Sequence, residues 1–497
     1  MENKKDIIII GAGIGGLSAA ARLAFAGFNV TVFEQQDKPG GKAGEIKESG
    51  FRFDTGPSLL TMTFVLRDLF TETGEDPEEY LNIKRPDTTC RYFWEDGTII
   101  NACSNTHKFA EEISIQTADT SQSVIDYLDY SKNIYELTAE LFLFSPFTGK
   151  ELLHNDTLKK LPLLGKIDPF RTMHAANKSF FNDPKTIQLF DRYATYNGSN
   201  PYMAPATLNI IQHVEYNGGA YYSAEGMYSV VKAIYKLALK KGVKFNFNSK
   251  VNKIITRNNR AAGISAITSG KEHIYNADII ISNADTNFTY TKLLNREKGI
   301  FNKLLKKEPS SSALIFYWGV KGEYHQFDAH NILFSSDYKK EFDCLFKKKK
   351  IYNDPTVYIY ISSKFNRKDA PEGCENWFVM VNAPYNSGQY NSEETGRIRA
   401  AVLNKISSVC GISVSDKIIY ERLTTPADIE NKTSSAYGSI YGLSSNSRFT
   451  AFMRPKNRSD INGLYFCGGS AHPGGGIPLV LSSGKITAEL IKGSYND

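Results

Sequence analysis

Nothing narrows the fold of this chain as much as the stretch from Asp6 to Glu34. Asp6-Ile-Ile-Ile-Ile10 is a short apolar run of the kind buried on both faces of a parallel sheet. It runs directly into Gly11-Ala-Gly13-Ile-Gly15-Gly16, and a helical pattern begins at Leu17-Ser-Ala-Ala-Ala21. Gly11 permits a tight turn, Gly13 lets backbone approach a pyrophosphate, and Gly16 lets helix and strand pack closely. The helix start then offers unpaired N–H groups to phosphate. Such a glycine loop alone is weak evidence and can be an ordinary turn. Here Gly27 closes the helix, a second strand is expected at 28–33, and Glu34 stands at its end, where a carboxylate accepts hydrogen bonds from ribose hydroxyls. Strand, glycines, helix, strand and carboxylate arrive in the order a dinucleotide-binding unit requires.

Two further glycine-bearing turns separate FAD from NAD. Pro39-Gly40-Gly41-Lys42-Ala43 comes straight after the second strand, and Phe53-Asp-Thr-Gly56-Pro57-Ser58 a little later. An NAD site has no need of a second glycine turn there; the pattern resembles that of flavoproteins with this fold, in which the Gly-Gly-basic turn lies along the dinucleotide. No second Gly-x-Gly-x-x-Gly occurs, so a separate nicotinamide domain, and electron delivery from NADH, are not expected. Further along, 242–249 is expected as a strand with a short return at Lys250-Val251, 254–264 as a hairpin, and Ala277–Asp285 as a strand with a polar end. Near the C-terminus, Gly463–Cys467 leads into Gly468-Gly469-Ser470-Ala-His472-Pro-Gly-Gly-Gly476 and then a helix expected from Leu479 to Ile491. A loop so rich in glycine presents backbone N–H groups to an anionic or carbonyl partner.

Composition sets the bounds. At 497 residues, 41% hydrophobic and 23% charged, the chain is long enough for two or three domain-sized units of ordinary globular character. A net charge of +6 with scattered lysines gives no nucleic-acid face, and the run Lys347–Lys350 is expected as a solvated loop. Six cysteines without a CxxC pair or metal-ligand spacing fit a reducing compartment. Met1–Lys5 leads straight into the first strand, leaving no room for a signal peptide, and no run is long enough to span a bilayer. The expectation is a cytoplasmic protein, peripheral at the inner face of the membrane, with no metal site.

The motifs together resemble the bacterial carotenoid desaturases of the phytoene-desaturase type, members of the FAD-dependent amine oxidase superfamily. The resemblance is carried by Gly11–Gly16, Glu34, Gly40–Lys42, Phe53–Leu60, Arg192–Ser199, Pro205–Asn209, Ser282–Asp285 and His472–Pro478. The form Gly468-Gly-Ser-Ala-His472 is similar to the hydroxycarotenoid 3,4-desaturase branch; phytoene desaturases tend to carry Gly-Ala-Gly-Thr-His there. Thr63 and Glu225 depart from the group, which often has proline and glycine at those places. The resemblance implies an α/β fold: a Rossmann-type FAD-binding domain formed by 1–70, 216–300 and 456–497. An interleaved mixed α+β substrate domain and a helical, membrane-associating part would come from 71–215 and 301–455. It assigns FAD contacts to Gly11, Gly13, Ile14, Gly15, Glu34, Lys42 and Ser58, to Val251 near the adenine, and to Gly469, Ser470 and Ile477 on the flavin side. Val251 has an equally good reading as a core valine.

The implied reaction is introduction of a C=C bond into a carotenoid, with a 1-hydroxylated end group desaturated at its 3,4 bond and phytoene as the alternative substrate. Loss of hydride from an allylic carbon leaves a cation that the polyene delocalises, so the flavin takes the hard step and no strong base is demanded. The flavin's reoxidant, oxygen or a quinone, is left open, and so is any catalytic side chain. His472 is either functional beside the flavin or a structural tie of its loop. His213 and Glu215 share a face if Ile210–Tyr216 is a strand, as an acid/base pair or a satisfied structural one. The apolar stretches 137–147 and 161–165, flanked by Lys150, Lys159, Lys160 and Lys166, fit either a surface dipping into lipid or a core helix with a solvated loop. Remoter alternatives are an amine oxidase and a non-catalytic prenyl-binding protein on the same fold. The intact Glu34, Lys42 and C-terminal loop argue against the latter.

Overall fold

A computed structural model describes residues 4–146, 165–296, 307–447 and 454–495. The expected entry forms as β1 (Asp6–Ile10), α1 (Ile14–Phe25) and β2 (Asn29–Phe33). The helix begins three residues earlier than the apolar pattern alone indicates, because its first turn is made of the motif glycines themselves. A Cβ on Gly16 would lie 2.4 Å from the carbonyl oxygen of Gly11, so only glycine lets the loop close onto the helix. The sheet is completed by β3 (Lys244–Asn246), β4 (Ile279–Ser282) and β5 (Leu464–Phe466) in the order β5-β4-β1-β2-β3. All four pairings are parallel. Its central strand is the isoleucine run, with Ile7–Ile10 all buried. On one face α1 packs beside α2 (Ile477–Tyr495). Gly484 makes this possible, since a Cβ there would lie 2.5 Å from the Gly15 carbonyl oxygen and 2.8 Å from Ser18 Cβ.

A three-stranded antiparallel sheet, 249–257, 260–268 and 271–276, covers part of the other face. Here 254–264 is the expected hairpin, but Lys250 and Val251 lie inside its first strand instead of forming a return. The strand at 242–249 shrinks to Lys244–Asn246. The C-terminal helix runs from Ile477 to Tyr495, longer than its apolar pattern.

The second body is a seven-stranded sheet. Its strands lie in the order Ile418–Thr424, Ser312–Lys321, Cys374–Ala383, Val357–Ile361, His330–Leu333, Thr88–Phe93, Ile99–Cys103. One face carries Trp318, Trp377 and their apolar neighbours under the helix Ser392–Cys410. Towards its edge, helices between 106 and 191 bury Tyr127, Phe181 and Phe190. The segment Ile210–Tyr216 is not a strand: it is one helical turn, Ile210–Gln212, followed by a π-turn, His213–Asn217. His213 and Glu215 therefore point apart, and the half-buried His213 ring bonds Asn217. Lys347–Lys350 lies at the end of another π-turn, with Lys347 and Lys349 paired to Asp343 and Glu308. Of the stretches 137–147 and 161–165, expected either to dip into lipid or to form a core helix with a solvated loop, residues 147 and 161–164 fall outside the described residues. No helix among the described residues is long and apolar enough to cross a membrane.

Candidate active site

Between the two sheets runs a cavity of about 1010 Å³. Gly11, Gly13, Ile14, Gly15, Glu34 and Val251 line one end, followed by Lys42 and Ser58, and by Gly469, Ser470 and Ile477. All the positions assigned to FAD thus face one space, although they are drawn from both ends of the chain.

At the dinucleotide end, Glu34 is buried and accepts the N–H of Ala12 at 2.7 Å and that of Gln36 at 2.9 Å. Burial pushes its carboxyl upward, opposed by those N–H groups. Each carboxylate oxygen keeps a lone pair for a further donor. Leu17 is bonded to Gly13, while N-cap Gly13 has no side chain with which to cap the preceding amides. These N–H groups lie at the cavity wall with the positive end of the helix behind them. The second glycine turn is pinned to the first by Gly40 N–H to Ala12 O at 2.9 Å. Gly40 and Gly41 have φ of 130° and 62°, a reversal that side chains would strain.

Lys42 is half-buried and donates to the carbonyls of Ser439 at 3.0 Å and Ile440 at 2.6 Å, tying the turn to the far body. Burial pushes its ammonium down to about 8, partly offset by Asp285. Asp285 itself caps a short helix through Asn287 N–H, and Ser470 Oγ accepts the N–H of Thr286 at 2.9 Å. His472 serves as a tie: its Nε2 is 2.9 Å from the carbonyl oxygen of Ser145, its N–H donates to Pro455 O, and its carbonyl accepts Ser483 Oγ.

Sequence reasoning missed the role of three groups, although it had named Ser58 and Glu215 singly. Asn283, at the polar end of β4, puts its amide at the meeting point of Gly13, Gly15 and Gly468, where a Cβ would lie 2.6, 2.8 and 2.6 Å from it. The polar tetrapeptide at the strand end was its signal. Arg454 is buried against Gly474, with Nη1 donating to Tyr441 O at 2.7 Å and no carboxylate ion pair among the described residues. Burial pushes its guanidinium down to about 10. A buried cation so poorly matched is costly unless an anionic or electron-rich group lies beside it. Glycine cradle, carboxylate, free helix amides and unmatched cation all fit a flavin dinucleotide.

The third group is a polar cluster deeper in the cavity. Arg192 stacks among Tyr92, Tyr193 and Tyr196 and donates to Tyr92 Oη at 2.7 Å. Glu215 accepts the hydroxyls of Tyr193 and Tyr196 and lies 3.5 Å from Arg192. Beside them, Ser58 Oγ, Tyr358 Oη and His330 Nδ1 form a chain with steps of 2.6 and 2.8 Å. Around this cluster the wall is apolar: Phe142, Leu143, Leu208, Ile211, Val214 and Phe378.

Fold and cavity define a protein built on a dinucleotide-binding α/β unit. Residues 14–492 match the family described as flavin containing amine oxidoreductase, and the chain belongs to that family. It is an FAD-dependent oxidoreductase of the carotenoid desaturase type. It is 44% identical to a 1-hydroxycarotenoid 3,4-desaturase of Flavobacterium sp., over 98% of this chain and 99% of that one. It is 34% identical to a 4,4'-diapolycopene oxygenase of Methylomonas sp., over 98% of each. Among solved structures, wild-type putrescine oxidase bound to putrescine superposes with a TM-score of 0.63 at 13% identity, covering 99% of both chains. An oxidoreductase from Methanosarcina mazei gives 0.62 at 18%, covering 97% of this chain and all of that one. Likeness at that level speaks for the fold alone.

Proposed function

We propose that the chain desaturates a carotenoid, introducing the 3,4 double bond next to a 1-hydroxylated acyclic end group. The observation that carries this reading is the continuity of the cavity, from the Glu34 and glycine end past Gly469 and Ser470 into an apolar, aromatic chamber. A long polyene needs such a dry channel. The 44% identical relative, named for this reaction, supports the choice of substrate. FAD, when bound, supplies the hydride acceptor. The chain's own part is to hold the dinucleotide through Gly11, Gly13, Ile14, Gly15, Glu34, Lys42, Ser58, Val251, Gly469, Ser470 and Ile477, to exclude water, and to orient the end group. Excluding water preserves the allylic cation until the neighbouring proton leaves.

On this reading, 1–70, 216–300 and 456–497 serve the cofactor, while 71–215 and 301–455 serve the substrate. The enzyme rests on the inner face of the membrane as a peripheral protein. Phe64, 46% exposed, packs edge-on against Phe144 next to the cavity-lining Phe142 and Leu143, an apolar surface suited to lipid. Oxygen or a quinone reoxidises the flavin. Product analysis in a carotenoid-making bacterial host tests the assignment: a 1-hydroxycarotenoid should gain one double bond at its end group. Conversion of phytoene alone, or oxygenated end groups, would replace it.

A further inference from the structure

We propose that His330 is the residue that recognises the end-group hydroxyl, through its Nε2 and as a specificity determinant; the inference rests on the desaturase reading. His330 opens the strand His330–Leu333 in the seven-stranded sheet, is buried, and lines the cavity. Its ring stacks on Tyr360 at 4.7 Å and 13°, which fixes its plane. Nδ1 is committed to Tyr358 Oη, and Tyr358 Oη to Ser58 Oγ, while Nε2 has no partner among the described residues. Of the neighbouring groups, Glu215 accepts from Tyr193 and Tyr196, and Arg192 bonds Tyr92 and lies beside Glu215, although its Nε and the hydroxyl of cavity-lining Tyr338 have no partner among the described residues.

The chain Ser58–Tyr358–His330 works in either direction. When Tyr358 donates to Nδ1, the ring presents Nε2–H; when Nδ1–H donates to Tyr358, the ring presents a bare Nε2. A hydroxyl, both donor and acceptor, satisfies either state, which suits this site to a neutral alcohol. Proton abstraction is a poorer role. Burial, reinforced by Arg192, pushes the imidazole down to about 3, so at neutral pH it is uncharged and a feeble base. A substrate without the hydroxyl leaves a buried polar nitrogen unsatisfied, and such sites discriminate strongly.

The test uses FAD-loaded enzyme in detergent and two polyenes differing only in the 1-hydroxyl. Equilibrium binding and the KM and kcat of each are measured for wild type, His330→Phe, His330→Gln and Tyr358→Phe, with FAD content as the check on folding. The wild type should favour the hydroxylated polyene by roughly tenfold or more. In His330→Phe that ratio should fall to about one, through weaker binding and higher KM for the hydroxylated polyene at little cost in kcat. His330→Gln, which keeps a donor and an acceptor, should recover part of the ratio, and Tyr358→Phe should lose part of it. An unchanged ratio in His330→Phe overturns the proposal, as does equal loss of both polyenes with FAD retained, or a loss confined to kcat. Discrimination in binding without turnover of either polyene defeats the desaturase reading and leaves the hydroxyl site standing. Turnover of both without discrimination does the reverse.

Discussion

Glu34 and Lys42 hold opposite charges in one cavity, and burial works against each of them. Glu34→Ala removes the acceptor proposed for ribose and strands the Ala12 and Gln36 N–H groups. The expected cost in FAD affinity is about 1–3 kcal/mol, roughly 5- to 150-fold. Titrating apoprotein with FAD by flavin fluorescence measures it, and wild-type affinity in the variant would remove Glu34 from the site. Lys42 gives a pH signature of two opposite signs. Its ammonium falls from the ordinary 10.5 to about 8 in the fold. Between those values the unfolded chain binds a proton that the folded one does not, so the Lys42 contribution makes apoprotein stability rise with pH across that window. Pyrophosphate favours the charged amine, so FAD affinity should be flat below about pH 8 and fall above it by up to about tenfold per unit. Lys42→Met should bind more weakly and flatten both curves; an unchanged slope in that variant would assign the titration to another group.

Helix contact α1–α2 is the joint on which the glycine cradle rests. Ser18 Oγ donates to Leu481 O at 2.9 Å, and Gly484 lies against the Gly15 backbone. Gly484→Ala should separate the helices and cost about 1–3 kcal/mol by overpacking, seen as a lower Tm together with weaker FAD retention. An unaltered Tm would mean that the helices yield without strain. This joint was half legible in the sequence. The α1 glycines announce themselves because each answers a backbone demand inside the Gly11–Gly16 loop, but Gly484 answers one set by residues at the other end of the chain. The same contrast explains the π-turn at His213–Asn217. Its alternation of apolar and polar residues imitates a strand, yet Glu215 is inward because Tyr193 and Tyr196 supply its partners. His330 carried no local signal at all: Tyr358 and Ser58 complete its chain from positions far apart in sequence. The glycine turns and the β1–α1–β2 entry were readable because they are local; the sheet order and the substrate wall were not, because they are built from long-range pairs.

For the molecule as a unit, one dinucleotide entry serves one cofactor, and nothing in the sequence provides a nicotinamide motif. Mixing the FAD-loaded protein with NADH in a stopped-flow spectrometer should leave the visible absorption band of the oxidised flavin unbleached over seconds. Millisecond bleaching without a partner protein would show that a nicotinamide reaches the flavin after all.

The parallel sheet also has a history written into its strand order. β1, the isoleucine run, is translated first, but its neighbour β4 is not complete until Ser282, and β5 waits for Phe466. At ribosomal rates of about 5–20 residues per second, β1 spends on the order of 10–60 s with one edge unsatisfied. An apolar strand with an open edge is an invitation to pair with other chains. Newborn copies should therefore depend on chaperone protection, and the cavity wall is complete only once the glycine-rich loop at Gly468–Gly476 has left the ribosome.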